Sequence, residues 1–293
     1  MSWLINASQL DRFRKNPKGI LILDATWAQP GDALNPHAEF LKKHIPGARF
    51  LDLSRFYDQS SALPNMLTRD ENLIASLLAE YGITSEHKII FYDNSSMHTS
   101  CRALWMFKVF GHASHLLYIL EGGLKAWEKY GGNVEVGEPK PVPAKPYNVV
   151  YQAQYIRSLV QMKTNLHHST EQVIDVRNAI RFAGGAESRA HLRAGHMPGS
   201  YCFPFTTLFE IDGRWKSPER IRRQLIAIGV DLNYPIVTSC GSGTTAPILN
   251  FALDLLGCEQ QAMYDGSWSE WGADECYPGE TSIEERPVVT SLV

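Results

Sequence analysis

The sequence is short of several things. It has five cysteines, an odd count with no Cys-x-x-Cys pair, which argues against a disulfide framework and for reduced thiols in a cytoplasmic setting. Excess charge of either sign is missing: 28 Lys and Arg face 31 Asp and Glu, a net of -3, so no global field exists to hold a polyanion and nucleic acid is not an expected partner. A long apolar run is also missing. The longest uncharged stretch, Leu232 to Leu253, carries Ser239, Gly241, Ser242, Gly243, Thr244, Thr245 and Pro247 in its middle, which excludes a dense membrane span. The N-terminus meets Asp11 and Arg12 before an apolar core develops and has no basic leader, so no secretory signal is expected. There is no low-complexity tract.

What is present is ordinary globular composition, 44% hydrophobic and 20% charged over 293 residues, enough chain for about two domains of ~100–200 residues each. The chain also repeats itself. His44-Ile45-Pro46-Gly47-Ala48 returns 152 positions later as His196-Met197-Pro198-Gly199-Ser200. Each copy lies about twenty residues after an apolar run ending in Asp, Ile20 to Asp24 and Val173 to Asp175. Lys88 to Asp93 parallels Pro235 to Cys240, and Gly122 to Trp127 parallels Gly266 to Trp271. Between the halves, 131–148 holds Gly131, Gly132, Gly137 and four prolines at 139, 141, 143 and 146, a composition that resists helix and favours an extended connector. Within each half, runs of strand length alternate with amphipathic stretches such as Glu71 to Tyr81 and Pro218 to Ile228, the alternation of a parallel sheet flanked by helices. The expected organisation is therefore α/β: residues 1–130, a linker over 131–148, a second domain over 149–278, and a loosely held tail over 279–293.

The segment Ile236 to Thr245 reads as a buried strand, then a glycine-bearing turn, then a helix over Ala246 to Leu256 with Pro247 tolerated in its first turn. Cys240 thus faces a helix N-terminus, where inward backbone N–H groups and the helix dipole favour thiolate over thiol and make the sulfur nucleophilic. Such chemistry also needs that sulfur open to a cleft. Cys101, Cys202, Cys258 and Cys276 lack this setting and are assigned no role. A tyrosine-phosphatase-like loop needs an arginine six positions after its cysteine, where Ala246 stands. A nucleotide P-loop needs a terminal Gly-Lys-Ser/Thr, and Gly241-x-Gly243 alone is a weak dinucleotide signature. Phosphate chemistry is disfavoured. His44 and His196, each before Pro-Gly, read as structural turn residues, and His112 and His115 have no carboxylate or cysteine nearby to complete a metal site. Trp127 and Trp271 read as core anchors and Trp268 as a residue lining the cleft.

On the two-fold repeat, the His-Ile/Met-Pro-Gly segments, the run Asp265 to Trp271 and the Cys-Gly-Ser-Gly-x-Thr loop, the chain resembles tandem rhodanese-domain sulfurtransferases, specifically the 3-mercaptopyruvate sulfurtransferase branch. The resemblance implies two rhodanese-like domains, the first catalytically silent; Asp93 stands opposite Cys240, and a carboxylate cannot carry sulfane sulfur. It implies that sulfur moves from 3-mercaptopyruvate through a Cys240 persulfide to a thiol acceptor such as thioredoxin, a small thiol or cyanide, with no metal or organic cofactor and no membrane partner. Thiosulfate-type members place cations inside this loop, whereas Gly241 and Ser242 are neutral, so a leaving group with less charge at its sulfur end is expected. Arg181-Phe182-x-Gly184 and Glu187-Ser188-Arg189 resemble the family's carboxylate-clamping segments and make Arg181 and Arg189 the substrate-binding candidates. Gly243, Thr244 and Thr245 complete the loop around the substrate. Ser242 either donates to the substrate or orders its own turn. Three positions depart from the branch: Ser54 and Asn65 stand where it has Asp and His, and Thr244 where it usually has Val. The competing activities are a thiosulfate sulfurtransferase and a low-activity persulfide carrier or regulatory binding module.

Overall fold

A computed structural model describes residues 3–140, 143–187 and 189–290. Contacts divide the chain into one unit of Met1–Gln59 with Leu67–Gln152, and a second of Ser60–Met66 with Ala153–Val293. The junction thus falls at Gln152/Ala153, and the short excursion Ser60–Met66 packs with the second unit.

In the first unit the apolar runs form five strands, Leu4–Ile5 (β1), Ile20–Asp24 (β2), Arg49–Phe50 (β3), Lys88–Tyr92 (β4) and Leu117–Leu120 (β5), all parallel and ordered β1-β5-β4-β2-β3. The second unit repeats this order with Ile156–Arg157 (β6), Gln172–Asp175 (β7), Tyr201–Cys202 (β8), Ile236–Ser239 (β9) and Gln261–Tyr264 (β10), arranged β6-β10-β9-β7-β8. The central strands β4 and β9 are buried along their length apart from Lys88, as strands inside a helix-covered parallel sheet are. β9 pairs with β7 so that Ser239 lies opposite Asp175. The loops leaving both strands therefore emerge side by side at the carboxyl edge of the sheet, the usual ligand-binding edge of an open α/β sheet.

The repeated landmarks do repeated structural work. His44 and His196 are each 1% exposed. The Nδ1 of each lies within hydrogen-bond reach of a carbonyl, Phe40 O at 2.9 Å and Phe182 O at 2.7 Å, and each ring stacks on the phenyl of that same residue. Trp127 and Trp271 are buried and donate through Nε1 to Asn133 O and Pro287 O, anchoring equivalent helices. His112 is also a structural residue, its ring nitrogens 2.9 Å from Tyr147 Oη and from His87 O. In the first unit the loop after β4 ends at the helix Thr99–Val109, and Asp93 fills it: Oδ1 accepts from Ser95 N at 2.9 Å and Oδ2 from Ser100 N at 3.0 Å.

The tail departs from expectation. Its described part is pinned by Arg286, which is fully buried and donates to the carbonyls of Glu270 (2.7 Å), Trp271 (2.9 Å), Ala273 (3.0 Å) and Glu275. Val289 pairs with His196 in an antiparallel bridge. An arginine placed among four carbonyls satisfies groups that a loose tail would leave unpaired.

Candidate active site

Strand β9 is buried along its length and stops at Ser239, so Cys240 is the first residue of the loop. Gly243, at φ 75°, makes the left-handed turn that a Cβ would resist. The chain then enters the helix Ala246–Leu256 through Thr245, whose side chain makes no cap, with a proline in the first turn. Among the described residues nothing accepts from the amides of Gly241, Ser242, Thr244 or Thr245.

A second segment decides where two of those amides point. The helix Ser267–Trp271, which follows β10, donates Trp268 N to Cys240 O at 3.0 Å and Ser269 N to Gly241 O at 2.9 Å. Gly241 O also accepts from Ser269 Oγ at 2.6 Å and Arg189 Nη2 at 2.9 Å. Among the described residues no peptide bond is cis, so each N–H points opposite the preceding carbonyl. With both carbonyls held against the 267–271 helix, the Gly241 and Ser242 amides are turned to the other side, into the loop. Ser267, itself left-handed at φ 51°, accepts from Cys240 N at 3.2 Å and lies 3.9 Å from Cys240 Sγ.

The cations enter from the loop after β7. Arg177 is buried, bonds both oxygens of Asp175 and the carbonyl of Gly195, and lies 4.1 Å over the Trp268 ring. Glu187, its side chain 2% exposed, joins Arg177 at 2.7 Å to the partly exposed Arg181, whose Nε approaches at 3.0 Å. Arg189 extends to Ser269 Oγ at 2.7 Å as well as to Gly241 O. Burial, then the neighbouring Arg181 charge, push the Arg189 pKa down, with Glu187 and Cys240 opposing. Three arginines against Asp175 and Glu187 leave one positive charge over, which the Cys240 thiolate balances when it is ionised. A Cβ built on Gly241 would lie 3.5 Å from Nη2 of both Arg181 and Arg189, so the two guanidinium groups converge on the same space above this glycine.

The candidates named from sequence are thus gathered around one loop, with Ser188 outside the described residues. Two expectations need correction. Cys240 is 1% exposed rather than open, with Ser267 Oγ of the 267–271 helix 3.9 Å from its sulfur. The partly exposed rim is Gly241, Ser242, Arg181 and Arg189. Trp268 is fully buried under Arg177 and donates Nε1 to Arg193 O at 3.0 Å, so it lines no cleft. Ser54 donates its hydroxyl to Asp52 Oδ1 at 2.6 Å in the first unit. Asn65 belongs to the second, where Nδ2 lies 3.1 Å from Ser242 Oγ and 3.0 Å from Thr244 Oγ1. Sequence reading passed over Ser267, Ser269, Arg177 and Glu187. The first two lie in the Asp265–Trp271 run, where only the tryptophans were weighed, and Glu187 lies beside Arg189.

The rhodanese-like domain family matches residues 7–130 and 158–274. The 3-mercaptopyruvate sulfurtransferase of Escherichia coli K12 is 35% identical over 281 residues, covering 95% of this chain and 98% of its own. The mitochondrial thiosulfate/3-mercaptopyruvate sulfurtransferase 1 of Arabidopsis thaliana is 34% identical over 281 residues, covering 89% of this chain and 73% of its own. The crystal structure of SseA from Escherichia coli, described as a 3-mercaptopyruvate sulfotransferase of rhodanese fold, superposes with a TM-score of 0.82 at 34% identity, over 92% of this chain and all of that one.

Proposed function

We propose, from the premise that this chain belongs to the rhodanese family of sulfurtransferases, that it transfers the sulfur of 3-mercaptopyruvate through a persulfide on Cys240. The observation that carries the donor assignment is the convergence of Arg181 and Arg189 on the space above Gly241, next to a loop whose own residues are neutral. Two planar guanidinium groups converging on one space suit a carboxylate, and 3-mercaptopyruvate presents its carboxylate at the end remote from its sulfur.

Cys240 is 1% exposed, so the donor reaches it by displacing the partly exposed rim of Gly241 and Ser242. The thiolate then attacks the donor sulfur, forming an S–S bond as the C–S bond breaks, and the bonding pair leaves with carbon as the enolate of pyruvate. The enolate takes up one proton and departs, leaving Cys240 as the persulfide. The inward amides of Gly241 and Ser242, with those of Thr244 and Thr245, supply donors for the terminal sulfur. An acceptor then attacks that outer sulfur and carries it away, returning Cys240 as thiolate: a thiolate of thioredoxin or of a small thiol leaves as a persulfide, and cyanide leaves as thiocyanate with release of the proton. Ser242 is positioned to donate to the leaving group. The five free thiols agree with a reducing, cytoplasmic setting.

Steady-state assays comparing pyruvate release from 3-mercaptopyruvate with sulfite release from thiosulfate test this reading. Cys240→Ser abolishes transfer, and donor-treated parent protein gains about 32 Da, one sulfur atom, at Cys240. Arg181→Ala and Arg189→Ala each raise KM by about tenfold or more, the loss of a charge-assisted hydrogen bond of ~1.5–3 kcal/mol. Sulfite release exceeding pyruvate release moves the donor to thiosulfate. Persulfide formation without turnover on small thiols makes the protein a carrier.

A further inference from the structure

Asn65 is held at φ 61°, a left-handed conformation that asparagine adopts more readily than most residues. Its Nδ2 lies 3.3 Å from Ser242 O, 3.1 Å from Ser242 Oγ and 3.0 Å from Thr244 Oγ1. A carbonyl oxygen only accepts, so the amide nitrogen and not its oxygen faces this group. Its two hydrogens serve three acceptors, one reaching Thr244 Oγ1 and the other shared between Ser242 O and Ser242 Oγ, so the hydrogen that each hydroxyl owns is directed elsewhere. Neither hydroxyl donates to another described residue, although Thr244 is only 5% exposed. Two oriented hydroxyl hydrogens therefore stand unspent in the loop that carries the nucleophile. The side chain at 244 is part of the device: without its oxygen, one of the Asn65 hydrogens loses its acceptor in a buried place.

We propose that Asn65 is a positioning residue for the sulfur-transfer reaction, which presents the hydroxyl hydrogens of Ser242 and Thr244 together to the negative charge developing as the donor's C–S bond breaks. The inference rests on the sulfurtransferase reading above and adds to it a second donor, Thr244, and the group that orients both. An amide has no titration between pH 5 and 9, so this orientation is the same across the working range.

The test is a double-mutant cycle read by single-turnover persulfide formation at Cys240 with 3-mercaptopyruvate, alongside KM, kcat and thermal melting. Thr244→Val and Asn65→Ala each slow persulfide formation about tenfold, the worth of one hydrogen bond in the transition state, with donor KM within twofold. The double variant is less than twofold slower than Asn65→Ala, because a hydroxyl no longer oriented has little left to lose. Asn65→Asp, equal in size, is the decisive variant. Its carboxylate accepts, so Ser242 and Thr244 turn their hydrogens toward it while the bond to Ser242 O is lost, and the rate falls below that of Asn65→Ala although the side chain is of equal size. A role in packing alone predicts the reverse order. Asn65→Asp matching the parent, or Thr244→Val and Asn65→Ala multiplying independently, overturns the inference while the sulfurtransferase reading stands. A parent protein that forms no persulfide with either donor overturns both.

Discussion

Gly241→Ala isolates the space between the two guanidinium groups. The position is not left-handed, so alanine meets no backbone penalty, and the added methyl lies 3.5 Å from Nη2 of Arg181 and of Arg189 and 3.7 Å from Nη1 of Arg181, which is ordinary van der Waals contact. Folding stability should change by no more than about 0.5 kcal/mol. Binding is another matter. A carboxylate oxygen shared by those nitrogens must approach each to ~2.8 Å, and a methyl already touching the same nitrogens excludes it from that side. One or two charge-assisted hydrogen bonds are lost, ~1.5–3 kcal/mol each, or about 10- to 150-fold in kcat/KM for the first. The assay is kcat/KM for 3-mercaptopyruvate, with thermal melting to verify the fold and alkylation of Cys240 by neutral iodoacetamide to verify that access to the buried sulfur is the same as in the parent. An unchanged melting temperature and alkylation rate with kcat/KM down at least tenfold is the expected result. A kcat/KM within twofold of the parent, while Arg189→Ala loses more than tenfold, means the carboxylate binds elsewhere.

Three further outcomes follow from other parts of the molecule. Asp24 is 1% exposed with only Thr26 N, the Thr26 hydroxyl and Tyr92 to satisfy it, and burial pushes its pKa up from 3.8 to about 6. The native state therefore binds this proton more tightly than the unfolded chain, and stability falls as pH rises from about 4 to about 6, by ~3 kcal/mol at ~1.4 kcal/mol per pH unit. Asp24→Asn removes that dependence, and urea midpoints at pH 4.5 and 7.5 that keep the parent's difference in the variant would refute it. Ser267→Ala leaves Cys240 N without its acceptor and should cost about 1–3 kcal/mol, whereas Ser267→Gly relieves the left-handed backbone and should be ~1 kcal/mol less damaging; equal urea midpoints for the two variants count against this. Arg286→Met strands buried carbonyls and Glu280 and should cost about 3 kcal/mol or more, a loss that a tail of no structural consequence would not show in thermal melting.

The parts of the fold legible in the sequence are those written in local period and punctuation. The apolar run Ile20–Asp24 is β2 to the residue, and the strand, glycine turn and proline-tolerant helix start around Cys240 appear as expected. What escaped is lateral. Ser267 and Ser269 reach the loop from nearly thirty residues downstream because β10 lies beside β9, and no period in either segment announces that neighbour. Cys240 is buried for the same reason, since the helix that pins its carbonyl also covers its side chain. Arg286 looked like a charge in a loose tail because its four carbonyl partners are backbone groups, to which composition is blind. Asn65 reads in the sequence only as a departure from a pattern; its acceptors, Ser242 and Thr244, lie more than 170 positions away.

The carboxylate of Asp93 has a corollary for ligand counting. Its two oxygens already take the amides of Ser95 and Ser100, so the first copy of the cradle arrives with its guest covalently attached and has no vacancy for a visitor. A calorimetric titration with any small oxyanion should accordingly saturate at one equivalent per chain, despite the duplicated architecture.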